Sequence, residues 1–219
     1  MGTIGITLYF YTLKNMDFGE AVTLQYLSPI FTAVFALALL KENTNWLAWI
    51  LYPVAFFGVY VMYQTGLDGS ALSLTAGIAS AICSGMAYTC IRALKTRENP
   101  NVIVLYFPLV NLPVAGLWCL FNWVSPSPEE WAGLLFVGIA THIAQYCMTR
   151  AFQLEKAGTV AMFGYFNVVL AFLTGFLIYG EETRTGQFIG VAIIVASLVL
   201  SIASEHSPGL FQRKSTAQN

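Results

Sequence analysis

The residues of this chain that could recognise another molecule are few, and they fall in three places. His142, Gln145 and Thr149 stand at i, i+3 and i+7, which puts an imidazole, a carboxamide and a hydroxyl on one helical face, with Tyr146 adjacent. Gln25, Tyr26 and Ser28 come just before Pro29, whose missing N–H and bulky ring loosen the preceding helical turn and free carbonyls. Gly164, Tyr165 and Asn167 recur 139 residues later in the same relation, and Tyr88 and Asn111 complete the set. These groups offer hydrogen bonds and flat aromatic faces, the means of holding a neutral or zwitterionic solute such as an amino acid or a nucleoside-like compound. The competing reading of the His142 stripe is that its polar groups satisfy neighbouring helices. For the tyrosines it is an interfacial aromatic belt, which suits residues six or seven positions inside a span less well. Covalent chemistry has no basis here. A nucleophile with its base, or a pair of aspartates, is absent from the apolar stretches, as is a GxSG motif.

The elements that carry these residues must lie in a bilayer. Of the 219 residues 57% are hydrophobic and 10% charged, against about 25% charged in a soluble domain, and the mean hydropathy is +0.67. About seven stretches approach the roughly 20 apolar residues a spanning helix requires: 20–40, 46–65, 73–91, 101–123, 131–149, 158–179 and 185–204. Apart from Glu20 at the edge of the first, none contains Asp, Glu, Lys or Arg. Residues 2–13 form a shorter, partial span. Runs such as IFTAVFALALL do not alternate, which excludes barrel strands. The expected fold is an all-α polytopic membrane protein with about seven full helices and a partial one. Cys83, Cys90, Cys119 and Cys147 lack CxxC spacing and read as buried small apolar residues, so no metal or other cofactor is expected. The net charge of −1 gives no pull toward nucleic acid. The first basic residue is Lys14 and no A-x-A follows, so the start is not a removable signal.

The basic residues give an orientation. Alternating sides at each span places Lys41, Arg92, Lys95, Arg97, Arg150, Lys156, Arg213 and Lys214 on one face and Lys14 and Arg184 on the other. By the positive-inside rule the richer face is cytoplasmic, and so is the C-terminus. This bears on an internal likeness. GEAVTLQYLSPIFTAVFALALLKE at 19–42 aligns without a gap on GTVAMFGYFNVVLAFLTGFLIYGE at 158–181, pairing Gly19 with Gly158, Tyr26 with Tyr165 and Glu42 with Glu181. The two phrases enter the membrane from opposite sides, so the repeat is inverted, as in carriers that rock two like units about a midplane site. The organisation expected is the end of a first unit at 1–66, a complete five-helix second unit at 67–205 and a cytoplasmic tail at 206–219. Counting back 139 residues from Ser73 places the start of the first unit about 67 residues before Met1.

Three stretches carry a resemblance: AVTLQYLSP running to Glu42, its degenerate copy ending at Gly180-Glu181, and SGMAYTCIRALK. They resemble the EamA-like branch of the drug/metabolite transporter superfamily, over essentially the whole chain. The resemblance implies a ten-helix carrier of two inverted five-helix repeats, with both termini cytoplasmic, that moves small metabolites, often outward, through a central cavity. Against that pattern the chain lacks two helices and part of a third. The expected function is a multi-pass carrier in the cell (inner) membrane that exports a small polar or amphipathic metabolite. The alternative is an incomplete, inactive or partner-dependent fragment of one, with the missing helices supplied by a second copy (a homodimer) or another partner. Two smaller features are structural in kind: Asp17-x-x-Glu20 as a capping box, and Gly186-x-x-x-Gly190 as a close-approach motif. Glu42 and Glu181, at span ends, read as capping or hinge contacts.

Overall fold

The computed structural model describes residues 1–16, 18–42, 46–63, 70–178 and 185–206. Every regular element among them is helical: α1 (Gly2–Asn15), α2 (Phe18–Gln25), α3 (Ser28–Leu40), α4 (Trp46–Tyr63), α5 (Ala71–Ala93), α6 (Pro100–Asn122), α7 (Pro128–Leu154), α8 (Ala157–Phe163), α9 (Phe166–Ile178) and α10 (Thr185–His206). Six stretches among the described residues are long and apolar enough to cross a bilayer: Phe18–Leu40, Ala71–Ala93, Pro100–Phe121, Pro128–Leu154, Ala157–Thr174 and Thr185–Ser204. The α4 stretch Trp46–Met62 is equally apolar but shorter. The protein is an all-α polytopic membrane protein. Asp17, Gly180, Glu181, Arg184 and the tail from 207 lie outside the described residues, and with them the expected capping box and one of the repeat's terminal glutamates.

Two of the crossings are interrupted. The first breaks at Tyr26–Leu27 between α2 and α3, and the second at Gly164–Tyr165 between α8 and α9. At both breaks the backbone tightens to i→i−3 bonds, Ile30 N–H to Leu27 O (3.1 Å) and Val168 N–H to Tyr165 O (3.1 Å). The causes differ. Pro29 removes a donor in the first, whereas in the second Gly164 lets the chain turn where a Cβ would sit 2.9 Å from Ala161 O. Tyr26 and Tyr165, the paired tyrosines of the two phrases, therefore both stand in a helix interruption.

Lipid supplies little hydrophobic drive between helices, so close packing must hold the bundle. The most extensive pairing is α4 with α10. A Cβ on Gly190 would come within 2.5 Å of Gly58 O and 2.7 Å of Met62 Cβ, so the two backbones touch where both residues are glycine. Gly186 is buried as well. Around this contact Tyr52, Ala55, Val59, Ile194 and Leu198 pack with Tyr165, Val168 and Phe172 into the main core. On the other side α5 packs against α1 and α3. The hairpin of α6 and α7 stands apart. In α6 only Val104 is buried among the described side chains, and in α7 only Thr149, Phe152 and Gln153 near its end. The cysteines depart from expectation: Cys83 is half-buried, and Cys90, Cys119 and Cys147 are exposed on the bundle's outer face. An apolar thiol costs nothing against hydrocarbon, so composition alone could not assign these residues to the interior.

Candidate functional site

The interruptions face a cavity of about 830 Å³ enclosed by α1, α2, α3, α5, α6, α7, α8 and α9. Among the described residues, no acidic, basic or histidine side chain lines it. Of the residues singled out from sequence, Gln25, Tyr26, Ser28, Tyr88, Gln145, Thr149 and Asn167 contribute to its wall. Their polar groups are of two kinds. Gln25 is fixed at both ends of its carboxamide: Nε2 donates to Ser84 Oγ (3.0 Å), and Ser80 shares its proton between Gln25 Oε1 (3.0 Å) and Gly5 O (2.8 Å). In contrast, the side chains of Gln145 and Asn167 and the Tyr88 hydroxyl carry no hydrogen bond among the described residues. These open donors and acceptors line the cavity and are available to hydrogen-bond water or a solute there.

The aromatic components are ordered by stacking. Tyr88 lies on Phe152 with centroids 5.0 Å apart and planes 12° from parallel. Tyr26 lies on Tyr165 at 5.9 Å and 22°. Tyr165 itself is fully buried behind the wall rather than in it, and its hydroxyl donates to Tyr26 O at 3.0 Å. A carbonyl in the first break is thus held by the corresponding tyrosine of the second.

Four expected residues fall outside the cavity. Besides Tyr165, these are Asn111, whose Nδ2 donates to Phe107 O one turn back (2.8 Å), and His142 and Tyr146, both exposed on α7. The stripe of His142, Gln145 and Thr149 does share a helical azimuth, as the spacing required. However, α7 meets the bundle only near its C-terminal end, so the face that enters the cavity at Thr149 is outside it two turns earlier. Spacing fixes azimuth and leaves tilt open. Sequence reading also passed over Tyr9, Ser80, Ser84, Phe107 and Phe152, which line the cavity; polar Ser80 and Ser84, four apart inside an apolar stretch, were the available signal.

At one end of the cavity, just beyond the lining residues Ile91 and Phe152, lies a buried ion pair. Arg92 Nε donates to Glu42 Oε1 (2.6 Å), and Arg92 Nη1 donates to Gln153 O (2.9 Å) and Phe152 O (3.3 Å). The second carboxylate oxygen of Glu42 accepts the first amide of α8, Ala157 N–H, at 3.0 Å. Gln153 Nε2 in turn donates to Glu98 O (3.1 Å). Glu42 reaches this point because α3 ends on Lys41 in the left-handed conformation (φ 55°), which turns the next residue inward at a cost of about 1 kcal/mol. The capping reading of Glu42 thus acquires an ionic partner 50 residues away.

Comparison with known proteins places this architecture. The chain is 29% identical to a pseudopaline exporter of Pseudomonas aeruginosa over 92% of its own length and 72% of the exporter's. It is 24% identical to a riboflavin transporter of Vibrio cholerae, over 90% and 67%. An S-adenosylmethionine uptake transporter of Rickettsia prowazekii is also 24% identical, over 92% and 68%. A crystal structure 20% identical in sequence shares the fold with a TM-score of 0.80, covering 92% of this chain and 75% of that one. The three named relatives are transporters of small metabolites rather than enzymes. The model of the EamA-like transporter family matches residues 1–64 and 71–203, and the chain, an apolar helical bundle around a neutral cavity, belongs to that family.

Proposed function

We propose that the chain is a carrier in the cell membrane that moves a small neutral or zwitterionic metabolite, with hydrogen-bonding groups and a planar or apolar body, through the cavity between two inverted units. The first unit ends near residue 66, the second runs from 67 to 205, and the C-terminal tail from 206 is cytoplasmic on the evidence of the basic residues. The observation that carries this reading is the cavity wall itself. Discontinuous helices border it from both units, their breaks joined by Tyr165 and Tyr26, and the wall presents carboxamides, hydroxyls and rings with no charge. Interrupted helices paired in this way are the usual site-forming elements of inverted-repeat carriers, and their rocking exposes the site to each side in turn. Tyr26, Tyr88 and Phe152 would stack on the solute, and Gln145, Asn167 and the anchored Gln25 would read its polar edge. Outward movement is the direction supported by the 29% identity to an exporter.

The test is flux in proteoliposomes with a radiolabelled panel of one neutral amino acid, one nucleoside, one dicarboxylate and one polyamine. The reading expects saturable flux of a neutral member that falls when Asn167 or Gln145 is changed to alanine. Saturable flux of only the dicarboxylate or the polyamine would overturn it, since the wall has no counter-charge for either.

One observation favours a second reading, in which the carrier works only with a second copy or another subunit. His142, the fifteenth of the 27 residues of α7, is exposed at mid-helix, where hydrocarbon offers its N–H no acceptor. Cross-linking in membranes through His142→Cys would give a discrete larger species on this reading and only the single chain without it.

A further inference from the structure

The geometry points to the Arg92–Glu42 cluster as a gate that holds this end of the carrier shut, and that must come apart for the cavity to open there. The inference rests on the carrier reading above and adds to it the residues that close one side. Three features carry it. First, the cluster joins elements that enclose the cavity: Glu42 follows α3, Arg92 ends α5, the Phe152 and Gln153 carbonyls end α7, and Ala157 begins α8. Second, its two bonds to Glu42 cross the boundary between the two proposed units, because Glu42 belongs to the first while Arg92 and Ala157 belong to the second. A rocking motion of one unit against the other cannot leave them all intact. Third, the groups are charged and buried, with the two side chains 8% and 15% exposed. A pair in that setting gains little net stability over its hydrated ions, so opening to water costs little, whereas removing one partner leaves the other charge buried and unpaired.

Each member has a distinct part. The Arg92 fork is the only side chain in the cluster that bonds α3's end and α7's end together. The Glu42 carboxylate couples that fork to the N-terminus of α8, where an anion is favoured. Lys41 fixes the direction of Glu42 by its left-handed turn.

The test needs no knowledge of the solute. With the four native cysteines replaced by alanine, a single Ala87→Cys reporter in the cavity wall is treated with a membrane-impermeant, positively charged methanethiosulfonate, in right-side-out and in inside-out vesicles. In the otherwise unaltered protein, labelling from the Arg92 side is slow. Glu42→Gln and Arg92→Gln each raise that rate by about tenfold or more, the loss of one charged hydrogen bond being enough to shift the population that far. Arg92→Lys keeps the charge but not the fork, and gives an intermediate rise. Should the glutamine variants fail to reach the membrane, Arg92→Lys and Glu42→Asp carry the comparison. Unchanged labelling in every folded variant, or fast labelling from the Arg92 side before any change, overturns the gate. Absence of labelling from both sides in all proteins overturns the water-filled cavity, and the gate with it.

Discussion

Replacing Tyr165 by phenylalanine removes one oxygen atom and tests how the two helix breaks are held together. The ring remains, so its stacking on Tyr26 and its packing with Tyr52, Val168 and Phe172 are kept. What disappears is the 3.0 Å bond from its hydroxyl to Tyr26 O. In an unbroken helix that carbonyl would receive the amide of residue 30, but Ile30 N–H has turned to Leu27 O and residue 29 is proline. The carbonyl therefore loses this donor, one hydrogen bond worth about 0.5–1.5 kcal/mol net. Taking the middle of that range and a slope of about 2–4 °C per kcal/mol for a chain of this size, the midpoint of thermal unfolding should fall by roughly 2–4 °C. The assay is the fraction of monodisperse protein surviving heating in mild detergent. A second variant checks the cause. In the second break, Val168 N–H supplies Tyr165 O, and its counterpart in the first break is Pro29, which has no N–H. Adding Pro29→Ala to Tyr165→Phe restores an amide in reach of Tyr26 O and should recover at least half of the loss. A Tyr165→Phe protein as stable as the parent, or a double variant less stable than the single one, would refute the reasoning.

Further expectations follow from the same geometry. Gly190→Ala drives a methyl into Gly58 O and Met62 and should cost about 1–3 kcal/mol, while Gly116→Ala, with nothing within 4 Å, should cost none, as read by the same heating assay. Gln25→Ala removes both links to Ser80 and Ser84 and should raise the half-saturating concentration for flux by about tenfold, with maximal flux largely kept; an unchanged concentration would remove Gln25 from the site. His142→Gln should leave the pH dependence of flux untouched, because the imidazole stands outside the cavity; loss of that dependence would contradict its placement on the exposed face of α7.

Much of this architecture was legible because hydrocarbon tolerates so little. Apolar stretches without charge announce helices, and the expected spans match the observed helices closely even where α2–α3 and α8–α9 are broken. The tyrosine pair was visible as well, because 19–42 aligns on 158–181 without a gap and Pro29 loosens the turn that carries Tyr26. The site was legible only in part. Gln145 and Thr149 enter the cavity while His142 on the same stripe does not, because residue spacing fixes azimuth and says nothing of how far α7 leans from its neighbours. Asn111 met its hydrogen-bond need from its own helix, a solution any mid-helix asparagine has open to it. Arg92 was read only as a marker of sidedness. Its pairing with Glu42 spans 50 residues and depends on a single left-handed residue at Lys41, which no local pattern announces.

The central claim is that solute passes through the cavity between the two interrupted helices. With the native cysteines replaced, flux of the best neutral solute in proteoliposomes would be measured before and after alkylation by a bulky maleimide. The thiol would be placed in one protein at Asn167, inside the wall, and in another at His142, on the outer face. The account predicts that alkylation abolishes flux in the Asn167→Cys protein and leaves it intact in the His142→Cys protein. Flux that survives a fully alkylated Asn167→Cys would place the path elsewhere.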